Sequence, residues 1–447
     1  MSGTPAERGS SRRASGPWLA LRSPGFRWLV SGQLISNLGD GVYAVALPWY
    51  VLSHHGSSVL LGAVLAAYGI PRTALLIVGG QMADRFGPSR VMLGADLGRL
   101  VLAALLATVA LPATLRPQLL VAIAAGIGAG EGLFLPASFS AMPSIVEDSQ
   151  LPSGNALMSS GVQLAAFAGP ALGGLVVATA GAGTGFALDA VSFGVSTLTL
   201  WRLTRIRAPR AGIRPVAAHG GQAGLADRPA AAGVWAFCRC DRVFLLIVAL
   251  TLAANLGSGG SAEVALPVFA RQTLHGSAAS YGALIAAAGI GALAGSLLAA
   301  RLPGGRRPAT IAGAAFFGEA VLLAALAAAV RLPLAVVTIA AFGMLNAYGN
   351  VIMQTAFQRW APRELLGRLS GLLLTASLGI FPVSVAVAGL LVRRFGPGAF
   401  FLASGVTLAI TLLVALSAPT FRDFGAPPAP ARRTEPARPA RRPAATR

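Results

Sequence analysis

Eight ionisable side chains interrupt stretches of this chain that are otherwise apolar. An ionised group in such a stretch costs on the order of a few kcal/mol when it has no partner, so each needs a functional or a structural reason. The eight are Asp40, Arg72, Asp96, Arg99, Glu131, Asp189, Glu263 and Glu319. A carboxyl group held away from water can take up a proton when it opens to one solution and release it when it opens to the other.

Three of these carboxyl groups, Asp40, Glu131 and Glu263, are the candidates for proton transfer. Asp40 and Glu263 lie near equivalent positions of two similar segments. Arg72 is a candidate partner for the three, or a contact for an anionic ligand.

The remaining ionisable groups have structural interpretations. Asp96 and Arg99 are three residues apart, on one face of a helix, and we expect them to pair. Asp189 is expected to hydrogen-bond a neighbouring helix, and Glu319 to face another helix or the membrane interface.

Aromatic and amide side chains in the same stretches offer polar contacts for a large amphipathic ligand. For each of them, packing in the protein core is the alternative. These candidates are Tyr43, Trp49, Tyr50, Gln163, Asn346, Asn350 and Gln354.

The elements that position these groups are long apolar runs. The chain has 447 residues, of which 55% are hydrophobic and only 11% charged, with a mean hydropathy of +0.69. This is more apolar surface than a soluble core hides, and runs of about 20 apolar residues cross a bilayer as helices. Twelve such spans are predicted, at about 26–52, 59–82, 91–111, 117–140, 156–180, 184–203, 243–270, 279–300, 308–330, 333–357, 367–392 and 398–418.

The two halves of the chain repeat each other. NLGDGVYAVALPWYVL from Asn37 has a counterpart in NLGSGGSAEVALPVFARQ from Asn255, and Gly62 and Pro170 match Gly282 and Pro382. Repetition across half a chain indicates two like membrane bundles facing a central path. We therefore predict an all-α membrane protein with six spans in each half, in bundles at 26–203 and 243–419.

Arginine supplies the whole positive charge of this chain, whose net charge is +20 and which contains no lysine. Most arginines flank the spans on one side, and the opposite loops hold only Arg116, Arg271, Arg331, Arg393 and Arg394. The positive-inside rule then puts both termini in the cytoplasm, and an even number of spans agrees. A multi-pass protein of a bacterial plasma membrane is expected, rather than a nucleic-acid binder.

Three segments outside the bundles are assigned to the cytoplasm. Residues 1–25 and 420–447 are expected to be disordered ends, and 204–242 is a linker whose second part can form an interfacial helix. Cys238 and Cys240 lie in this linker without further metal ligands, so two reduced thiols are expected.

One loop between spans 2 and 3 carries a specific signal. It reads GQMADRFGPSR, with Gly80, Asp84, Arg85, Gly87 and Arg90 at its key positions. This resembles the signature loop of the major facilitator superfamily, although Pro and Ser replace two basic positions. The resemblance implies that the loop locks the outward-facing arrangement through Asp84, with Gly80 allowing close helix contact and Gly87 a tight turn. A turn that only fixes topology is the alternative.

Span 5 contains Gly169, Pro170, Gly173 and Gly174, similar to the exporter motif of drug:proton antiporters in that superfamily. The upstream glycines of that motif are alanines here, and a packing role for small residues is the alternative. The proton-relay arginine of many such antiporters has no counterpart near the start of span 4. NLGD in span 1 and LDAVSF in span 6 resemble the macrolide-efflux and enterobactin-exporter branch.

The resemblance implies a proton-coupled exporter of a bulky amphipathic compound, such as a drug, a macrolide or a siderophore, that works by alternating access. The alternatives are an importer or facilitator of a small metabolite, or a lipid-handling or sensory membrane protein without transport. No phosphate-binding loop occurs, so the gradient of an ion or of the substrate must supply the energy. We expect a monomer that is not an enzyme and holds no metal or cofactor.

Overall fold

The computed structural model describes residues 19–54, 56–110, 116–147, 150–205, 241–302, 305, 307–362, 365–422 and 424. Within these ranges the regular structure is helical and contains no strand. The side chain of Pro152 is not among those described. The linker 206–240, with Cys238, Cys240 and the expected interfacial helix, lies outside the described residues, as do 1–18 and 425–447.

The first half forms spans 1 to 6. Span 1 is Pro24–Ser53, span 2 consists of Ser58–Ala74 and Leu76–Phe86, span 3 is Pro88–Val109 and span 4 is Pro117–Ala141. Spans 5 and 6 are the two arms of Leu151–Arg205, which bends at Gly181. Proline begins spans 1, 3 and 4, where its missing N–H would have had no partner in the helix.

The second half forms spans 7 to 12. Span 7 joins Arg242–Gly260, a π-helical turn at Ser261–Ala265 and Leu266–Gln272. Span 8 is Ala278–Arg301, span 9 is Pro308–Leu326 and span 10 is Leu332–Trp360. Spans 11 and 12 are the arms of Leu366–Ser417, which bends at Gly396.

The number of crossings agrees with the predicted twelve. Eight of the described helices are long and apolar enough to cross a membrane, and the bent pair of span 2 makes a ninth. Division of two of these helices at Gly181 and Gly396 raises the number to eleven. Span 1 has 30 residues and completes the set, although polar groups such as Asn37 and Asp40 interrupt it.

The internal repeat is visible in backbone detail. Gly181 has φ 83° and ψ 165°, and Gly396 has φ 83° and ψ 167°. Glycine adopts this positive-φ conformation without strain and other residues do not. Both halves therefore use a glycine at the bend where the chain reverses direction. The all-α fold with two related bundles is confirmed.

In the described part of the molecule, the halves share buried apolar packing toward one end of the bundle. One buried apolar cluster draws on both halves, with Tyr50, Leu61 and Phe186 from the first and Phe269 and Tyr281 from the second. All these residues lie toward the end away from the termini, which we call the far end. At the opposite, terminal end, each buried cluster of the described residues belongs to one half. The described part of the molecule is therefore closed at the far end.

Some of the residues assigned to the two ends are folded against the bundles. Leu19–Arg22 forms a 3-10 turn with Ala20 fully buried, and the Ser23 side chain caps span 1. At the other end, Phe421 and Phe424 are buried, and Phe424 packs against Trp360 at 5.3 Å between ring centroids. These apolar side chains anchor the residues next to each bundle, which composition alone did not reveal.

Candidate functional site

An ion pair between spans 2 and 4 is the centre of the candidate site. The Arg72 guanidinium lies 3.0 Å from the Glu131 carboxylate, and both side chains are a little over one-fifth exposed. Tyr68, one turn before Arg72, donates its hydroxyl to the other oxygen of Glu131. The pair is thus held by a second contact, and neither of its side chains is fully enclosed by protein.

Two glycines bring spans 2 and 4 close enough for this contact. A Cβ on Gly132 would lie 3.0 Å from the Arg72 Cα, and a Cβ on Gly128 would lie 3.0 Å from the Tyr68 Cα. Gly128 and Gly132 therefore set the spacing between the two helices, and Glu131 lies between them in the sequence. Small residues at such spacing let helix backbones approach in a membrane.

The other two carboxyl candidates gather around the same arginine. Asp40 of span 1 and Glu263 of span 7 both lie within electrostatic range of Arg72. The π-helical turn that carries Glu263 contacts spans 1, 2 and 11, and a π-turn inside a helix frequently marks a functional position. Of the three carboxyl groups, Glu131 therefore forms the ion pair with Arg72, and Asp40 and Glu263 lie within electrostatic range of the same guanidinium without a described bond to it.

Two tyrosines within electrostatic range of Glu263 have hydroxyl groups that are buried and make no hydrogen bond to any described residue. They belong to Tyr43, which was a ligand candidate, and Tyr281, which is fully buried. Glu263 is within electrostatic range of both. Sequence reasoning missed Tyr281 and Tyr68, although Tyr68 stands one helical turn from Arg72.

The pairing of Asp96 and Arg99 is confirmed. The two side chains form a buried ion pair within span 3, and Ser196 of span 6 donates a hydrogen bond of 2.5 Å to Asp96. The guanidinium lies between the rings of Phe134 and Phe193, at 4.5 and 4.6 Å from their centroids. This cluster joins spans 3, 4 and 6 and has a structural role.

Asp189 differs from its expectation. Its Oδ1 is buried and accepts no hydrogen bond from any described residue. The carboxyl group lies against span 1, where a Cβ on Gly39 would be 2.9 Å from Oδ1. Asp189 therefore packs against Gly39 of span 1. Glycine has no side chain that could donate a hydrogen bond to the carboxyl group.

The polar candidates of the second half separate into two groups. Asn346 donates to both oxygens of the buried Glu319 at 3.2 Å, so this pair links spans 9 and 10. Asn350 is exposed and donates to the Asn346 carbonyl at 2.8 Å, and Gln354 is exposed one turn later.

The candidates of the first half are also divided. Tyr50 is 1% exposed, packs against Phe186 and belongs to the core, which is the alternative considered for it. Trp49 is partly buried, and Gln163 of span 5 is exposed. Among the described residues, no group of three His, Cys, Asp or Glu side chains is arranged to hold a metal ion.

In the signature loop, the close packing expected at Gly80 occurs at its neighbour. A Cβ on Gly79 would lie 2.8 Å from atoms of Gly132, Leu133 and Pro136, whereas a Cβ on Gly80 meets only Pro136 at 4.0 Å. The helical rotation turns Gly79, and not Gly80, toward span 4.

The rest of the signature loop is open. Gly87 has φ 87° and makes the turn into span 3. Asp84, Arg85 and Arg90 are exposed, and Asp84 forms no ion pair with any described residue. Within the described part of the chain, the lock expected at Asp84 therefore has no ion-pair partner.

The glycine motif of span 5 makes contacts in two directions. A Cβ on Gly169 would lie 2.9 Å from the Cα of Gly41, and one on Gly173 would lie 2.8 Å from the Cα of Val42, both in span 1. A Cβ on Gly174 would lie 2.9 Å from the Cα of Gly282, across the boundary between the halves. The motif thus packs span 5 against its own bundle and against span 8 of the other.

Proteins of known function resemble this chain along its length. The multidrug efflux pump Tap of Mycobacterium tuberculosis (strain ATCC 25618 / H37Rv) is 29% identical over 424 residues, covering 91% of this chain and 96% of the pump. The enterobactin exporter EntS of Citrobacter koseri is 27% identical over 417 residues, covering 91% of this chain and 94% of the exporter.

Solved structures share the fold. A point mutant of the nucleoside transporter NupG superimposes with a TM-score of 0.68 at 12% identity, over 88% of this chain and 99% of that one. A point mutant of a POT peptide transporter gives a TM-score of 0.65 at 18% identity, over 90% of this chain and 95% of that one. The model of the transmembrane secretion effector family matches residues 15–429. With its two six-span bundles and this match over most of its length, the chain belongs to the transmembrane secretion effector family of the major facilitator superfamily.

Proposed function

We propose that this protein exports a bulky amphipathic compound from the cytoplasm in exchange for protons, by alternating access. The observation that carries this proposal is the ion pair of Arg72 with Glu131, which has Asp40 of the first half and Glu263 of the second within electrostatic range of its guanidinium. The names of the relatives, a multidrug efflux pump and an enterobactin exporter, support export of large compounds.

The charge balance supports proton coupling. One guanidinium neutralises one carboxylate, and Arg72 pairs with Glu131, so Asp40 and Glu263 have no described ion-pair partner and a proton on at least one of them is favoured while the site is away from water. Protonation of Glu131 would remove the charge that holds Arg72 at 3.0 Å. Exposure of the site to one solution and then the other would move that proton across the membrane while the substrate moves the opposite way.

The predicted orientation in the membrane assigns a conformational state to a molecule that is closed at its far end. With the arginine-rich side in the cytoplasm, the terminal end faces the cytoplasm. Because buried packing joins the halves at the far end, we assign the described conformation as inward-open. Both termini are then cytoplasmic in a bacterial plasma membrane, and one chain with two bundles works as a monomer. Span 5 meets span 8, and span 2 meets span 11, at the closed end.

Export is tested by accumulation of fluorescent drugs and siderophores in an efflux-deficient bacterial host that expresses the protein. We expect lower accumulation with wild type, and loss of this effect with Asp40→Asn at equal membrane insertion. In everted vesicles, an imposed proton gradient should drive uptake of the probe. Release of the probe from everted vesicles, instead of uptake, would favour an importer. Inactivity of the purified, reconstituted protein toward every probe would favour a membrane protein without transport.

A further inference from the structure

Span 2 is bent by 46° between Ser58–Ala74 and Leu76–Phe86. Leu75 stands at the break with φ −88° and ψ −2°, and its N–H still bonds the Pro71 carbonyl at 2.9 Å. The chain is therefore continuous through the bend but leaves the helical line after Ala74.

Both segments of span 2 pack on span 4, but their other neighbours differ. The first packs on span 11 of the other half: Ser58 donates to the Gly389 carbonyl at 2.9 Å, and Thr73 to the Leu378 carbonyl at 3.3 Å. The second packs on spans 3 and 4 of its own half and leads into the signature loop. The bend is thus the point at which span 2 leaves the opposite bundle.

Contacts with span 4 hold both sides of this bend. Above it, Arg72 pairs with Glu131 and its backbone lies against Gly132. Below it, Gly79 lies against Gly132, Leu133 and Pro136, with 2.8 Å between a Cβ on Gly79 and each of them. The ion pair of the candidate site therefore lies one turn from the break.

We propose that Leu75 is a hinge, about which Leu76–Phe86 swings relative to its own bundle when the terminal end closes. The bundle then does not move as one rigid body. The segment is 11 residues long, or about 16 Å, so straightening would move its tip by on the order of 10 Å. This hinge would serve the transport function proposed above, whereas its motion is measured without any transport assay.

Spin-label distances test the hinge. In full-length protein with Cys238→Ser and Cys240→Ser, one label pair, Phe86→Cys with Leu198→Cys, measures a distance inside the first half. A second pair, Phe139→Cys with Gln358→Cys, measures the opening between the halves at the terminal end. All four sites are exposed. Samples are reconstituted at acidic and alkaline pH, with and without ethidium.

We expect the distance inside the half to change by on the order of 10 Å in every condition that changes the distance between the halves. A change between the halves at a constant Phe86–Leu198 distance would show a rigid bundle and overturn the hinge.

Two adjacent glycines supply a matched comparison that needs no change of condition. Gly79→Ala should push the lower segment off span 4 and shift the Phe86–Leu198 distance, and Gly80→Ala should leave it unchanged because its Cβ has room. Equal distances in both variants and in wild type would also overturn the proposal. Circular dichroism and elution as a single species exclude misfolding as the cause of a shift.

Discussion

The hydroxyl of Ser58 donates a buried hydrogen bond of 2.9 Å to the carbonyl of Gly389, 331 residues away and in the other half of the molecule. The internal repeat places an equivalent contact between the halves at Gly174 of span 5 and the start of span 8. There Ala278 takes the place of Ser58, and a Cβ on Gly174 would lie 2.9 Å from the Ala278 carbonyl. At the far end, the contact between spans 2 and 11 therefore contains the hydrogen bond from Ser58. In the equivalent contact between spans 5 and 8, the described residues are closely packed, and alanine offers no hydroxyl group to donate.

Ser58→Ala should weaken closure of the far end. A buried hydrogen bond contributes about 1 kcal/mol, so the equilibrium between far-end-open and far-end-closed forms should shift about fivefold toward the open form. Labelling of single cysteines near residue 390 by an impermeant maleimide measures this shift. Ser53→Ala is the control, because the Ser53 hydroxyl bonds only within its own region, to the Tyr50 carbonyl and His54. Equal labelling of the two variants would contradict the role given to Ser58.

Gly282→Ala should destabilise the protein. The added Cβ would lie 2.7 Å from the Pro170 carbonyl and 2.8 Å from the Gly174 Cα, both backbone atoms that cannot turn aside. Gly371→Ala is the matched control, since nothing lies within 4 Å of that position and alanine favours a helix by about 1 kcal/mol. Thermal unfolding in detergent should show a lower midpoint for Gly282→Ala and an unchanged or higher one for Gly371→Ala. A lower midpoint for Gly371→Ala than for Gly282→Ala would mean that spans 5 and 8 pack less closely than described.

Removal of the buried arginine of span 3 should be severe. Arg99→Leu leaves Asp96 buried with only Ser196 as a side-chain donor, and such a change costs about 3 to 5 kcal/mol. The double variant with Asp96→Asn removes both charges and should recover much of that loss. Yield of monodisperse protein and thermal midpoint measure the effect. If the double variant is no more stable than Arg99→Leu, the loss comes from the missing cation–π packing against Phe134 and Phe193.

Glu131→Gln should abolish the response of efflux to an imposed proton gradient. The variant cannot exchange a proton at the carboxyl group that holds Arg72. Glu319→Gln is the control, because Glu319 is also buried within a span but is satisfied by Asn346 and lies at the contact of spans 9 and 10. Probe uptake into everted vesicles at a series of gradients should therefore stay steep for Glu319→Gln and become flat for Glu131→Gln. A steep dependence in Glu131→Gln would move proton coupling to Asp40 or Glu263.

Features that depend on one segment could be predicted from the sequence. Apolar length predicted the spans, the repeat predicted two bundles, and the three-residue spacing of Asp96 and Arg99 predicted their ion pair. Arg72 was a candidate partner for Asp40, Glu131 and Glu263 alike, and the sequence could not show that Glu131 is the one that pairs with it, because spacing along the chain says nothing about distance across the bundle.

The sequence by itself thus determined the all-α fold, the doubling of the chain and the pairing of Asp96 with Arg99 within one helical turn. The tertiary structure alone decided that Gly79 and not Gly80 packs on span 4, that Tyr50 lies in the core, and that Ser58 reaches Gly389. The physical reason is that these spans are apolar on nearly every side, since lipid and protein core both accept apolar groups. The pattern of apolar residues then leaves the rotation of each helix about its axis open until the neighbouring helices pack against it.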